Sequence, residues 1–129
     1  YRVPDKYELK HINVSSGTVS TPAATVVLGV DGEIVKDSCF GNGPVDALYK
    51  TIIKMTGFRA ELKRFSISSV TGGFDAQGEV TVELMDRDTV ATGQGADPDI
   101  LVASAKALVN ALNRMEFLKH KRAGEVPHL

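Results

Sequence analysis

Two short glycine motifs are the residues best placed to do chemistry. Gly41-Asn42-Gly43 and Gly93-Gln94-Gly95 stand 52 residues apart, and each precedes a stretch with helically spaced apolar residues. A helix N-terminus carries unpaired backbone N–H groups and a partial positive charge, so it can hold a carboxylate or a phosphate. Glycines there let a ligand come close to the backbone. The alternative is a tight strand-to-helix turn with no ligand. Asp46, Asp97 and Asp99 fall in the first turns of the two expected helices. They either complement the helix dipole, at roughly 0.3–1 kcal/mol each, or receive an ammonium group. In the second case an amino acid would be gripped at both ends. The motif is not a dinucleotide fingerprint: Ala47 stands near the place of the third glycine, and the unit around it is not βαβ.

Catalytic chemistry finds little footing. His11, His120 and His128 are far apart in the sequence, and no His-x-His, His-Glu-x-x-His or Cys-x-x-Cys offers a metal site. Asp75 and Glu79 flank a turn and read as solvated carboxylates. Ser15-Ser16 and Ser68-Ser69 lie in strand-like stretches with no histidine placed to activate them. Cys39 adjoins Phe40 and reads as a buried small hydrophobe rather than a nucleophile.

The elements that must position these residues come in two similar sets. Glu8-Leu9-Lys10-His11-Ile12-Asn13-Val14-Ser15-Ser16 returns as Glu61-Leu62-Lys63-Arg64-Phe65-Ser66-Ile67-Ser68-Ser69, an offset of 53. Two matches in one order at nearly one spacing indicate a duplicated unit, and two such halves would pack about a pseudo-two-fold axis with a groove between them. Tyr7 to Ser16, Ala24 to Val30 and Glu33 to Asp37 read as strands, with Asp31-Gly32 a hairpin turn. Pro44 then sits at the first position of a helix that Gly57 ends. Ala60 to Val70, Gly78 to Leu84 and a short return from Thr89 to Thr92 read as strands again. The loop Thr71-Gly72-Gly73-Phe74-Asp75 divides the first two, and Asp86-Arg87-Asp88 turns between the last two. A second helix follows with Pro98 in its first turn and a broad apolar face from Ile100 to Met115. The order is βββα twice, an α+β fold with the helices covering the sheets. One domain over residues 1–129 is expected, with repeats at about 7–57 and 60–118 and a tail at 119–129.

Composition narrows the function classes. With 129 residues, 43% of them hydrophobic, the chain can bury a sizeable core. A net charge of -1 recommends neither nucleic acid nor an anionic membrane, and the local cluster Lys119-His120-Lys121-Arg122 reads as a solvated helix end. Tryptophan is absent, which argues against a base-stacking platform. A single cysteine excludes an intrachain disulfide and suits a reducing cytoplasm. The chain opens on Tyr1 without an initiator methionine or a signal peptide, so it reads as a piece of a longer protein.

Several stretches together resemble a known family. Thr21-Pro22-Ala23-Ala24-Thr25-Val26, Gly41-Asn42-Gly43-Pro44-Val45-Asp46-Ala47, Asp75-Ala76-Gln77-Gly78-Glu79-Val80, and Asp99-Ile100 on to Asn110-Ala111-Leu112-Asn113-Arg114 look like the C-terminal regulatory domain of 2-isopropylmalate synthase. Citramalate synthase carries a similar domain. The resemblance runs from about Tyr7 to Arg114. It implies two βββα units, a homodimer, and an attached TIM-barrel catalytic domain that condenses acetyl-CoA with a 2-oxo acid. The effector it implies is leucine, or isoleucine in the citramalate enzymes. Divalent metal and acetyl-CoA would belong to that barrel alone, leaving no catalytic residue, metal or cofactor in this chain. By the same resemblance the effector carboxylate meets the backbone at Gly43, Val45 and Asp46. Leu62, Phe65 and Ser69 on the next strand, then Ala76, Gly78 and Ile100, complete the pocket. Phe65 stands where many members have tyrosine, and Pro-Ala-Ala after Thr21 departs from a common Pro-Thr-Ala. The asymmetry after the two glycine motifs points to the first helix start for the carboxylate and the second for the side chain. A structural dimerisation module without effector is the alternative of another class.

Overall fold

The computed structural model describes residues 5–17, 21–70 and 77–124, with backbone alone at 69, 70 and 122–124. Strands β1 (Tyr7–Ser15), β2 (Ala23–Val30) and β3 (Glu33–Phe40) are followed by helix α1 (Pro44–Thr56). Strands β4 (Glu61–Val70), β5 (Gln77–Asp86) and β6 (Thr89–Asp97) are followed by helix α2 (Ile100–Gly124). Each set of three strands forms its own antiparallel sheet, in chain order. The α+β architecture of two βββα units is the one the sequence predicts. The loop expected at 71–75 and the last five residues lie outside the described residues.

The repeat extends to an irregularity. The register shifts between Leu9 and His11 in β1, and between Leu62 and Arg64 in β4. The extra residue is a lysine in both strands, paired with the glutamate two positions earlier: Lys10 with Glu8 at 3.1 Å and Lys63 with Glu61 at 2.8 Å. A bulge sets two residues against one. Leu9 and Ile12, three apart, therefore both turn to the core, and so do Leu62 and Phe65. The hairpins differ. Asp31 (φ 51°) and Gly32 (φ 86°) give the two positive angles of a type I′ turn, whereas in the second hairpin Arg87 (φ 57°) alone is positive.

Alternation puts Ala24, Val26 and Leu28 of β2 and Val80, Val82 and Leu84 of β5 on the inner faces, fully buried. α1 covers β2 and β3 with Ala47, Leu48 and Ile52. Thr51 is buried in the same contact, donating to the carbonyls of Ala47 (2.7 Å) and Ala24 (3.2 Å). α2 lies on β5 and β6 and also reaches α1 and β1. It is consequently buried on most sides, through Ala103, Ala105, Ala107, Leu108, Ala111, Leu112 and Met115.

The two repeats are joined by a seam along the second half of α2. Tyr7 N–H donates to Asn113 Oδ1, and Asn113 Nδ2 donates back to the Tyr7 carbonyl, both at 2.8 Å. Lys6 pairs with Glu116 at 3.5 Å. Tyr7 is 2% exposed and meets the edge of Phe58, with ring centroids 6.2 Å apart. Burial, with Glu116 and Asp31 nearby, pushes its phenol up to about 12.

Several elements run longer than their sequence suggests. β3 continues to Phe40 and β6 to Asp97. α2 continues to Gly124, so residues 119–124 are helix where a tail was expected. Lys119 helps explain the last: it pairs with Asp86 at the β5–β6 hairpin and lies 5.5 Å from the ring centroid of Phe58. It is not simply a solvated cation.

Candidate functional site

The start of α1 is open. Its N-cap is Gly43, in extended backbone with no side-chain cap, and Pro44 occupies the first turn. The first helical hydrogen bond runs from Ala47 N–H to the Gly43 carbonyl at 2.9 Å. The N–H groups of Val45 and Asp46 therefore project from the helix end without an intrahelical partner. A Cβ built on Gly43 meets nothing within 4 Å, so there is space over this backbone. Gly41 is different: a Cβ there would collide with the backbone of Asp46 and Ala47, so this glycine lets β3 turn tightly into the helix.

The carboxylate of Asp46 is already engaged. It accepts from Asn42 N–H at 2.8 Å and pairs with Lys50 at 3.0 Å. These partners, the Asn42 N–H foremost, hold it below the usual carboxylate range. The side chain fixes the helix entry, and an incoming ligand would see the Asp46 N–H group.

The start of α2 is closed by acidic side chains. Asp99 accepts from Leu101 N–H at 2.8 Å and is the N-cap, its carbonyl taking the first helical bond from Ala103 at 2.9 Å. Asp97 accepts from Asp99 N–H at 2.9 Å and pairs with Lys106 at 3.1 Å. These contacts, in that order, depress its pKa. Pro98 precedes the cap rather than standing in the first turn, since Asp99 closes the helix one residue later. The second glycine motif also needs correction. Gly93 and Gly95 lie inside β6, not in a turn before the helix. A Cβ on Gly93 would strike the Ala107 carbonyl and the Ala111 N–H, and one on Gly95 the Ala103 carbonyl and the Ala107 N–H. They seat α2 directly on the strand.

The expected apolar wall gathers on the second sheet. Ser69 pairs with Gly78 in the register of β4 and β5, and Gly78 pairs with Asp97 of β6. Ile100, in the first turn of α2, covers Gly78 so closely that a Cβ there would fall 2.5 Å from Ile100 Cδ1. Leu62 and Phe65 are half-buried on the same face of β4. Ala76 lies outside the described residues. No Cα of α1 comes within 8 Å of β4, β5 or β6. The carboxylate set of Gly43, Val45 and Asp46 thus stands on a different helix from the strands that carry Leu62, Phe65, Ser69 and Gly78. Ile67, between Phe65 and Ser69 on one face, belongs to this wall by register. The strand alternation from Phe65 already marks it.

The other chemical candidates stay apart. His11 is exposed on β1 and His120 on α2. Cys39 is half-buried, opposite Ala24, while its neighbour Phe40 is 69% exposed. Among the described residues no group of histidine, cysteine and carboxylate side chains could hold a metal ion, and no helix is long and apolar enough to cross a membrane.

The sequence itself matches a known family. Residues 1–116 match the model of the LeuA allosteric (dimerisation) domain. A 2-isopropylmalate synthase of Syntrophus aciditrophicus is 52% identical over 126 residues, covering 98% of this chain and 24% of that protein. Those of Nitratidesulfovibrio vulgaris and Heliobacterium modesticaldum are 48% and 47% identical, over 89% and 88% of this chain and 23% and 22% of theirs. The chain thus spans about a quarter of the length of these curated relatives. It belongs to the LeuA allosteric (dimerisation) domain family.

Proposed function

We propose that this chain is the effector-binding, dimerising regulatory domain of a 2-isopropylmalate synthase and that its effector is leucine. The observation that carries the reading is the difference between the helix starts: one has a glycine cap with open space over it, and the other is capped by its own carboxylates. The leucine carboxylate would accept from the N–H groups of Val45 and Asp46, with Gly43 leaving the approach clear. Leu62, Phe65, Ser69, Gly78 and Ile100, with Ala76, would receive the side chain. The ligand would lie between the two sets, in a groove between repeats and between subunits. Burying the side chain would contribute roughly 1.5–3 kcal/mol. The parent enzyme would condense acetyl-CoA with 2-oxoisovalerate in a separate TIM-barrel domain. Divalent metal and acetyl-CoA would bind there, and this domain would need no cofactor and do no chemistry. Residues 1–129 would act as one regulatory unit, in the cytoplasm.

Calorimetric titration with leucine, isoleucine and valine tests the reading. Preference for leucine is expected. Preference for isoleucine would move the chain to the citramalate synthases, and no heat from a folded dimer would leave a structural module. The two isomers carry the same carbons, so only pocket shape separates them, and even a whole methylene discriminates by only about 1–3 kcal/mol. Gly43→Val should abolish binding while costing the fold about 1 kcal/mol or less, since a Cβ has room there and valine is only a poorer cap. Unchanged affinity in that variant would overturn the carboxylate site.

A further inference from the structure

Asn42-Gly43 is the one Asn-Gly step in the chain. An asparagine followed by glycine is chemically unstable in water. The next backbone nitrogen can reach the side-chain carbonyl, and glycine has no Cβ to hinder the approach. Asn42 is exposed in the turn between β3 and α1. A Cβ on Gly43 would meet nothing within 4 Å, and the Gly43 N–H meets no acceptor among the described residues. Asn42 is tied through its own N–H to Asp46 at 2.8 Å, while its side-chain amide has no partner among the described residues. That amide is free to turn toward Gly43.

The other asparagines are placed differently. Asn13 precedes the branched Val14 within β1. Asn113 precedes Arg114 in α2, and its side chain is held by both bonds to Tyr7. Asn110 precedes Ala111 in α2 and accepts from Gln94 N–H at 3.0 Å. It stands between Lys106 and Arg114, which donate to the carbonyls of Ala96 and Thr92, both at 3.3 Å. One stripe of α2 thus closes the β6 edge and locks Asn110 within it. Inside a helix the following N–H is also held in the backbone ladder, a restraint that the turn at Gly43 lacks.

We infer that Asn42 converts to aspartate and isoaspartate in the folded protein, and that this ageing weakens effector binding at the start of α1. The Gly43 nitrogen gives its proton to solvent base and attacks Asn42 Cγ. The new N–C bond closes a cyclic imide, the Cγ–Nδ2 bond breaks, and ammonia leaves with a proton taken from water. A water molecule then opens the imide. Attack at Cγ leaves aspartate; attack at the main-chain carbonyl leaves isoaspartate, with the chain running on through the side chain. The oxyanion that forms at Cγ lies next to the positive end of α1, which favours it, and Lys50 offsets the nearby Asp46 carboxylate at 3.0 Å. Either product sets a new carboxylate beside the N–H groups assigned above to the leucine carboxylate, so the effect on binding rests on that reading. Isoaspartate also adds a main-chain carbon to a turn so tight that a Cβ on Gly41 would lie 2.4 Å from the Ala47 nitrogen.

Incubation of the 129-residue chain in warm, mildly alkaline buffer, followed by peptide mapping, tests the conversion. Asn42 should convert faster than Asn13, Asn110 and Asn113, and faster as the pH rises, since the attacking nitrogen must first lose its proton. Asn42→Gln, whose longer side chain closes the ring poorly, should stay intact. Conversion of Asn42 no faster than that of the other asparagines, or only in denaturant, would overturn the inference. Calorimetry on the same samples reads the effect on binding. Leucine affinity should fall about threefold in Asn42→Asp and roughly tenfold in the separated isoaspartyl form, and hold in Asn42→Gln. Unchanged affinity in both acidic forms would overturn the link to the effector site. A fresh chain that binds no leucine would sink the effector reading and that link together, while the mapping still decides whether Asn42 converts.

Discussion

The two helix starts show how one plan can be divided into two tasks. α1 begins with a glycine cap and no side chain over its N–H groups. α2 begins with Asp97 and Asp99 folded back onto its own backbone. Both ends carry the partial positive charge of a helix dipole. The first offers it more freely to an incoming anion, because in the second Leu101 N–H is taken and the field is offset by two carboxylates. The glycine motifs diverge for a related reason. Gly41-Asn42-Gly43 fills the turn between β3 and α1. The second motif has been absorbed into β6, where small size matters more than freedom of approach.

The largest effect should come from confusing those two uses of glycine. Gly93→Ala places a methyl group against the backbone of α2 at Ala107 and Ala111, where neither side can yield cheaply. Overpacking of that kind costs about 3 kcal/mol, read as a lower midpoint in denaturant unfolding at unchanged slope. Gly43→Ala adds the same methyl to open space and should cost about 1 kcal/mol or less, as a poorer cap. A similar loss in both variants would break the distinction between a packing glycine and a site glycine.

A smaller effect should follow from exchanging the caps. Asp99→Ala removes the acceptor for Leu101 N–H and should cost about 1 kcal/mol. Gly43→Asp gives α1 the device that α2 has, and should stabilise the free chain by about 0.3 kcal/mol. The same carboxylate would occupy the N–H groups and repel an anion, so leucine affinity should drop at least tenfold. A chain that gains the cap and still binds leucine normally would show that the helix start is not the carboxylate site. Chemical denaturation and calorimetry on one set of samples give both readings.

Much of this was legible before any coordinates. The order βββα twice, the Asp31-Gly32 turn and Pro44 at the first helical position follow from alternation, helical spacing and the backbone habits of glycine and proline. What the sequence obscured depends on contacts distant along the chain. Matching glycine motifs suggested matching turns, yet whether a glycine ends a strand or lies within it depends on how close a helix comes, and α2 approaches β6 closely enough to extend the strand to Asp97. The clasp between Asn113 and the backbone of Tyr7 has no local signature, because it joins residues 106 apart. Lys106, Asn110 and Arg114 were visible as a polar stripe at intervals of four, but nothing local says that the stripe closes a sheet edge. Within the candidate site, strand alternation could group Phe65, Ile67 and Ser69. The meeting of Gly78 and Ile100 needed the fold, although both were named through the family resemblance.

Another small effect lies in the hairpins, where Asp31-Gly32 in the first repeat is answered by Arg87-Asp88 in the second. In the first, the positive angles fall on Asp31 and Gly32, residues suited to them; in the second, the burden falls on Arg87 at φ 57°. A left-handed conformation costs a side-chain-bearing residue about 1–2 kcal/mol. Glycine would remove that cost but would loosen the unfolded chain by about 0.4–1 kcal/mol. Arg87→Gly should therefore stabilise the protein by only about 0.5 kcal/mol, a shift detectable as a slightly higher unfolding midpoint. The direction carries the information. If glycine destabilises the protein instead, the Arg87 side chain must contribute more than its strained backbone costs, and the second hairpin would be held by contacts that the first achieves through turn chemistry alone.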